Sequence, residues 1–250
     1  MAGAGNAGLP AIDASSGAQR LFWLGSIVAA FAALAVLGVR IATRVDLWQW
    51  WVPAAFVAGV ALADLGSGLV HWAADTWGRD DLPLIGPRLL VPFRVHHVNP
   101  DDFLRRSFAD TNGDVALIAI APIVSLTMLR LGEPWQAAAA VGGFGLCGAG
   151  MLTNQIHQWA HMPSPPRLVR LLQDAGVILG RHEHAIHHDR PYDARYCITT
   201  GWCNRPLEAV RFFRGLEHAI TRLSGARPRH DDERYDERYG RGIPSFASHD

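Results

Sequence analysis

Four long stretches of this chain carry almost no charge, and that property decides what it can fold into. Leu21 to Val39 runs for nineteen residues without a charged side chain. Leu47 to Trp72 has Asp64 as its only charged residue ahead of His71, while Val115 to Leu129 and Trp135 to Gln155 have none. In a bilayer core no water satisfies the backbone, so each crossing segment must be a helix of about twenty apolar residues. The chain therefore reads as an all-α membrane protein with about four transmembrane helices. The third run is short and is extended by Arg130, whose long side chain reaches outward to the interface. Two helical hairpins are expected, one from Leu21 to Trp72 turned at residues 40–46, the other from Val115 to His161 turned at residues 131–134.

Charge sets the orientation. The formal net charge is zero, which supplies no overall basic field for nucleic acid, and no such partner is expected. All 23 basic residues are arginine, so lysine Schiff-base chemistry is excluded. An N-terminus in the cytoplasm places 20 of these arginines on that side, leaving Arg40, Arg44 and Arg130 outside, as the positive-inside rule favours. The first run is longer than a signal-peptide core and only Arg20 precedes it as a basic residue, so it is read as a retained span. Cys147 falls in the fourth span, and Cys197 and Cys203 lack C-x-x-C spacing; reduced thiols are expected.

Three parts are anticipated: a disordered tail over 1–20, an integral membrane domain over 21–225, and a polar, solvated tail over 226–250. A loop of about forty residues, Ala73 to Asp114, joins the hairpins, and loops of such length are usually functional or disordered. Pro163-Ser-Pro-Pro166 opens a helix whose stripe of Leu168, Leu171, Leu172, Ala175 and Leu179 suits either a membrane surface or the protein's own core. Pro206 to Ser224 reads as one amphipathic helix, with Phe212, Phe213, Leu216, Ile220 and Leu223 on one side and Gly225 as its stop.

Eight histidines sit just beyond the apolar runs: His71, the pair His96 and His97, His157 with His161, and the triplet His184, His187 and His188. With the orientation above they form a histidine-rich cap on the cytoplasmic face. His157 and His161, like His184 and His188, are four apart and share a helix face. Eight imidazoles exceed what one tetrahedral zinc uses, so two metal ions sharing the set is the economical reading. Imidazole suits iron as well as zinc and leaves positions for oxygen. The inward Glu and Glu-x-x-His pattern of soluble di-iron bundles is missing. Asp75, four after His71, and Glu183, four before His187, are read as metal ligands or as groups that orient an imidazole through its second nitrogen, the commoner role. Asp64 is read as structural, satisfied inside the protein. His182, His218, His230 and His249 are read as solvated. A zinc hydrolase would need fewer ligands, and a metal transporter would spread its ligands along the spans.

The segments DLGSGLVHWAADTWG, VPFRVHHVNPDDFLRRSFADTNGD, TNQIHQWAHM and HAIHHDRPYDARYCITTGWCNRPLE closely resemble the Kua, or plasmanylethanolamine desaturase, family of membrane proteins. The likeness spans roughly Asp64 to Arg229. It implies an oxygen-dependent enzyme with two iron ions that introduces the vinyl ether double bond of plasmalogens into an ether phospholipid. It also implies an external electron-transfer partner of cytochrome b5 or ferredoxin type. Residue by residue, the family's histidine set falls on His71, His96, His97, His157, His161, His184, His187 and His188. Where animal members carry H-H-x-x-H-H, this chain has Glu183 in the first position. There it is similar to plastid desaturases acting on phosphatidylglycerol, which leaves an acyl-lipid desaturase as one alternative; a membrane lipid hydroxylase, which would share the metal centre, is the other.

Overall fold

A computed structural model describes residues 16–44, 49–229 and 231–239. The expected tails at 1–15 and 240–250, and residues 45–48 of the first turn, lie outside the described residues. Four helices are long and apolar enough to cross a membrane: α1 (Gly17–Ala42), α2 (Trp51–Thr76), α5 (Phe108–Thr127) and α6 (Pro134–His161). Between α2 and α5 a π-helical turn, Gly86–Leu90, runs into α3 (Val91–Val98), followed by α4 (Pro100–Leu104). Beyond α6 lie the shorter helices α7 (Arg167–Asp174), α8 (Arg181–His187), α9 (Asn204–Ala209), α10 (Phe212–Ser224) and α11 (Asp232–Tyr239). No strand occurs among the described residues.

The spans stack in the order α1, α5, α6, α2, so the first expected hairpin does not close on itself. Small residues set this order, because association within lipid rewards close backbone approach. A Cβ on Gly59 of α2 would lie 1.9 Å from the carbonyl oxygen of Gly142 on α6, and one on Gly145 would lie 2.6 Å from that of Phe56. On the other side Trp23 of α1 fills the place a side chain at Gly113 of α5 would need. Arg40 donates to the carbonyl of Leu129 at 2.8 Å, satisfying backbone just past the end of α5. Ile118, Val124, Leu62 and Val70 face outward from the stack, as lipid-facing residues do.

Several segments depart from their expected form. α1 starts inside the expected tail, where the hydroxyl of Ser16 accepts from the N–H of Gln19. The long loop is mostly helical, and Arg94 in α3 ties it down by donating to the carbonyls of Ala74, Trp77 and Gly78 at the end of α2. The leucine stripe of 168–179 is not one helix. α7 stops at Asp174 ahead of Gly176, which has φ +66°, leaving Leu168 and Leu171 exposed while Leu179 packs with Ile156, Ala160 and Ile198. The expected helix over 206–224 breaks at Arg211, whose φ of +51° is left-handed, so α9 and α10 change direction there. Phe213 of α10 then packs against Trp72 and Tyr196, and the indole of Trp72 donates to Glu217 at 2.9 Å. The polar tail also returns to the fold: Tyr235 of α11 is buried, and Arg229 donates to the carbonyls of Thr76 and Asp75.

Asp64 resolves as a fastener. Its Oδ1 accepts from the N–H groups of Thr199, Thr200 and Gly201 at 2.8–3.1 Å, and its Oδ2 from that of Cys203 at 2.9 Å. Four charge-assisted bonds satisfy the carboxylate inside α2 and pin the segment that follows α8 against it. All three cysteines are free thiols.

Candidate metal centre

The C-terminal ends of α2 and α6, together with α3, α8 and the residue that follows α8, bring eight imidazoles into one buried volume. Two groups form. One holds His96, His157, His161, His184 and His188; the other holds His71, His96, His97 and His187. Within each group, one ligand atom from every residue lies within 4.8 Å of all the others, and His96 belongs to both. The four-residue spacings read from the sequence thus bring paired imidazoles from α6 and from the α8 segment into the cluster, and α3 adds its adjacent pair.

Backbone carbonyls fix which nitrogen three of the rings present. The Nδ1–H of His187 donates to the carbonyl of Ala194 at 2.6 Å, that of His71 to Tyr196 at 3.2 Å, and that of His96 to Phe93. Their Nε2 atoms are therefore bare lone pairs aimed inward. Yet the Nε2 atoms of His187 and His71 stand 3.1 Å apart, and those of His187 and His97 2.9 Å. Among the other group, His157 and His184 are separated by 2.9 Å, His184 and His161 by 2.8 Å, and His161 and His157 by 3.2 Å. An imidazole nitrogen either donates or accepts, so three mutual contacts cannot all be hydrogen bonds. A shared cation removes the conflict. Nitrogens held about 2.1 Å from one ion at a right angle are about 3.0 Å apart, and the Nε2 of His96, buried without a hydrogen-bond partner, completes that fit.

Burial also keeps the rings in the ligating form. Loss of hydration, reinforced by neighbouring imidazoles, holds His96, His97, His184 and His188 well below the ordinary imidazole range, and desolvation brings His187 down to about 4. Tyr192 stacks on His97 with centroids 4.7 Å apart, and Tyr196 meets His187 edge to face at 5.3 Å.

The two acidic residues singled out from the sequence separate. Asp75 is buried against the cluster, its Oδ2 3.3 Å from Nε2 of His71. Glu183 instead pairs with Arg195 at 3.0 Å and Arg205 at 3.1 Å. His182 and His218 are exposed, as read; His230 and His249 lie outside the described residues. What the sequence does not reveal are the carbonyls of Phe93, Ala194 and Tyr196, because a backbone acceptor leaves no mark in residue type. The cis Arg190–Pro191 peptide and the left-handed Tyr192 and Arg195 lie in the chain that carries two of them.

Comparison with known proteins agrees with this centre. Over 208 residues the chain is 41% identical to the plasmanylethanolamine desaturase of Myxococcus xanthus, covering 80% of this chain and 74% of that protein. It is 44% identical over 190 residues to plasmanylethanolamine desaturase 1 of Mus musculus, covering 72% of this chain and 68% of the mouse protein. It is 37% identical to the chloroplastic fatty acid desaturase 4-like 1 of Arabidopsis thaliana, over 72% of this chain and 60% of that one. No solved structure matches. Residues 60–231, which contain all eight clustered histidines, match the lipid desaturase domain, and the chain belongs to that family of membrane oxidoreductases.

Proposed function

We propose that the protein is an oxygen-dependent di-iron desaturase that converts 1-O-alkyl (plasmanyl) ethanolamine phospholipids into vinyl ether plasmalogens. One observation carries the reading: two groups of convergent, proton-poor imidazoles joined at His96, in a chain 41–44% identical to proteins named for that reaction. His96, His157, His161, His184 and His188 would hold one iron, and His71, His97 and His187, with His96 between, the other. Bound iron supplies the oxidising power, drawn from oxygen, that no side chain has toward an unactivated carbon.

The chain's own residues then do the rest. The carbonyls of Ala194 and Tyr196 keep two ligands in the correct tautomer. Apolar helix faces admit the alkyl tail from the bilayer and leave the headgroup at the surface. Two hydrogens leave adjacent carbons while oxygen becomes two waters, so two electrons and two protons must come from outside, from a cytochrome b5 or ferredoxin type carrier. The arginine distribution supports a cytoplasmic centre, within reach of such a carrier.

A second substrate has one observation in its favour. Glu183 stands where animal members have a histidine, and its carboxylate is tied to Arg195 and Arg205, as a fixed structural element would be. An acyl chain of phosphatidylglycerol is the substrate that this position supports.

The test is expression in a host that lacks vinyl ether lipids but is fed alkyl ether precursors, followed by lipid mass spectrometry. The expected product is an ethanolamine ether lipid two hydrogens lighter, formed only with oxygen and absent with His187→Ala. Hydrogen loss in phosphatidylglycerol would select the second substrate, and an added hydroxyl would make the enzyme a hydroxylase.

A further inference from the structure

Asp75 occupies a position that an orienting carboxylate would not. A residue that orients a ligating imidazole bonds to the nitrogen facing away from the metal. For His71 and His187 that nitrogen is Nδ1, and both are already bonded to the carbonyls of Tyr196 and Ala194. Asp75 lies on the opposite side. Its Oδ2 is 3.3 Å from Nε2 of His71, 3.7 Å from Nε2 of His97 and 3.7 Å from Nε2 of His187, over the triangle those three atoms make. Neither carboxylate oxygen has a hydrogen-bond partner, although the side chain is about 95% buried. Arg229 is close in the fold, but its hydrogen bond to this residue is to the backbone carbonyl.

The bare nitrogens of His71 and His187 and the buried Asp75 carboxyl group, neither oxygen of which makes a hydrogen bond, thus converge on one point. An unpaired carboxylate is costly to bury, and a divalent cation at their common focus offsets that cost. Resting on the metal reading above, we propose that Asp75 is itself a ligand, so that the two ions are unlike: one held by imidazoles alone, the other by His71, His97, His187 and the Asp75 carboxylate, with His96 between them. The negative charge belongs to one ion only, which lowers the net charge there and makes that ion the harder of the two to reduce.

The test is metal stoichiometry. Purified wild type, Asp75→Asn and Glu183→Gln are stripped, reloaded with iron(II) without oxygen and analysed for iron per chain, with helicity checked by circular dichroism. Asp75→Asn keeps the shape and removes the charge. It is expected to fall from about two irons per chain to about one while Glu183→Gln stays near two. Two irons retained by a folded Asp75→Asn would overturn the assignment. A second measurement needs only wild type: infrared difference spectra on adding iron(II) to the stripped protein should show a carboxylate stretching band that Asp75→Asn lacks, and its absence from wild type would equally refute the ligand role. Wild type that takes up no iron would instead defeat the di-iron reading itself.

Discussion

Single residues here divide into those that form the imidazole cluster and those that hold the cluster in place. Asp64 is the strongest of the second kind, because four backbone N–H groups depend on it. Asp64→Ala leaves four donors unpaired, two of them fully buried, an expected loss of about 3 kcal/mol or more. Asp64→Asn still offers one oxygen to three of them and should lose less. Thermal unfolding in detergent, read against wild type, checks this; an alanine variant as stable as wild type would show that the segment 199–203 is held elsewhere. The residue was visible as an intramembrane carboxylate, but its partners are backbone groups more than a hundred positions away, which no local pattern encodes. The same reason hid Ala194 and Tyr196. That His157 and His184 join one cluster was legible because side-chain identity and four-residue spacing put them beside His161 and His188, and His71 because it sits at the end of an apolar run. His187→Ala should therefore lose both iron and product, whereas His218→Ala, on the exposed side of α10, should keep both, as metal analysis beside lipid mass spectrometry will show.

Elements show the complementary limit. Hydrocarbon length fixes where helices exist, so all four spans were readable from uncharged runs, but nothing in apolarity says which span touches which. Glycine positions decide that, and α2 packs on α6 through Gly59 and Gly145. A methyl group at Gly59 would lie 1.9 Å from a backbone oxygen that cannot move aside, whereas one at Gly150 meets nothing within 4 Å. Gly59→Ala is expected to separate the helices, cutting the yield of folded protein and its iron content at least about tenfold. Gly150→Ala should leave both within error. Equal behaviour of the two variants, measured by size-exclusion profile and metal analysis, would mean that α2 and α6 are not held by close backbone contact. The break at Arg211 and the return of α11 are of the same class: Phe213 and Tyr235 are drawn into contacts with Trp72 and the arginines of the cap, and tertiary packing there overrides the local amphipathic pattern.

At the scale of the whole molecule, the cap is a buried volume of neutral imidazoles, and that gives the metal-free protein a stability curve with a definite sign. An unfolded histidine titrates near 6.5, while His187 in the fold titrates at about 4 and His96, His97, His184 and His188 also lie well below the ordinary value. Between those limits the unfolded chain binds protons that the folded chain refuses, so folding loses stability as pH falls. Above about 6.5 both states are neutral and the curve is flat on this account; below the folded values the full cost has been taken. His187 alone contributes about 3 kcal/mol across that window at one pKa unit per 1.4 kcal/mol. Metal-free protein should therefore show a melting temperature that is level from pH 8 to 7 and drops steadily from pH 6.5 to 4.5. Iron-loaded protein should resist longer, then fall more abruptly, because protons must first displace the ion from its nitrogens. A melting temperature that rises or stays level in the metal-free protein as pH drops to 4.5 would mean that the imidazoles are charged or hydrated, and would remove the neutral cluster on which the metal centre depends.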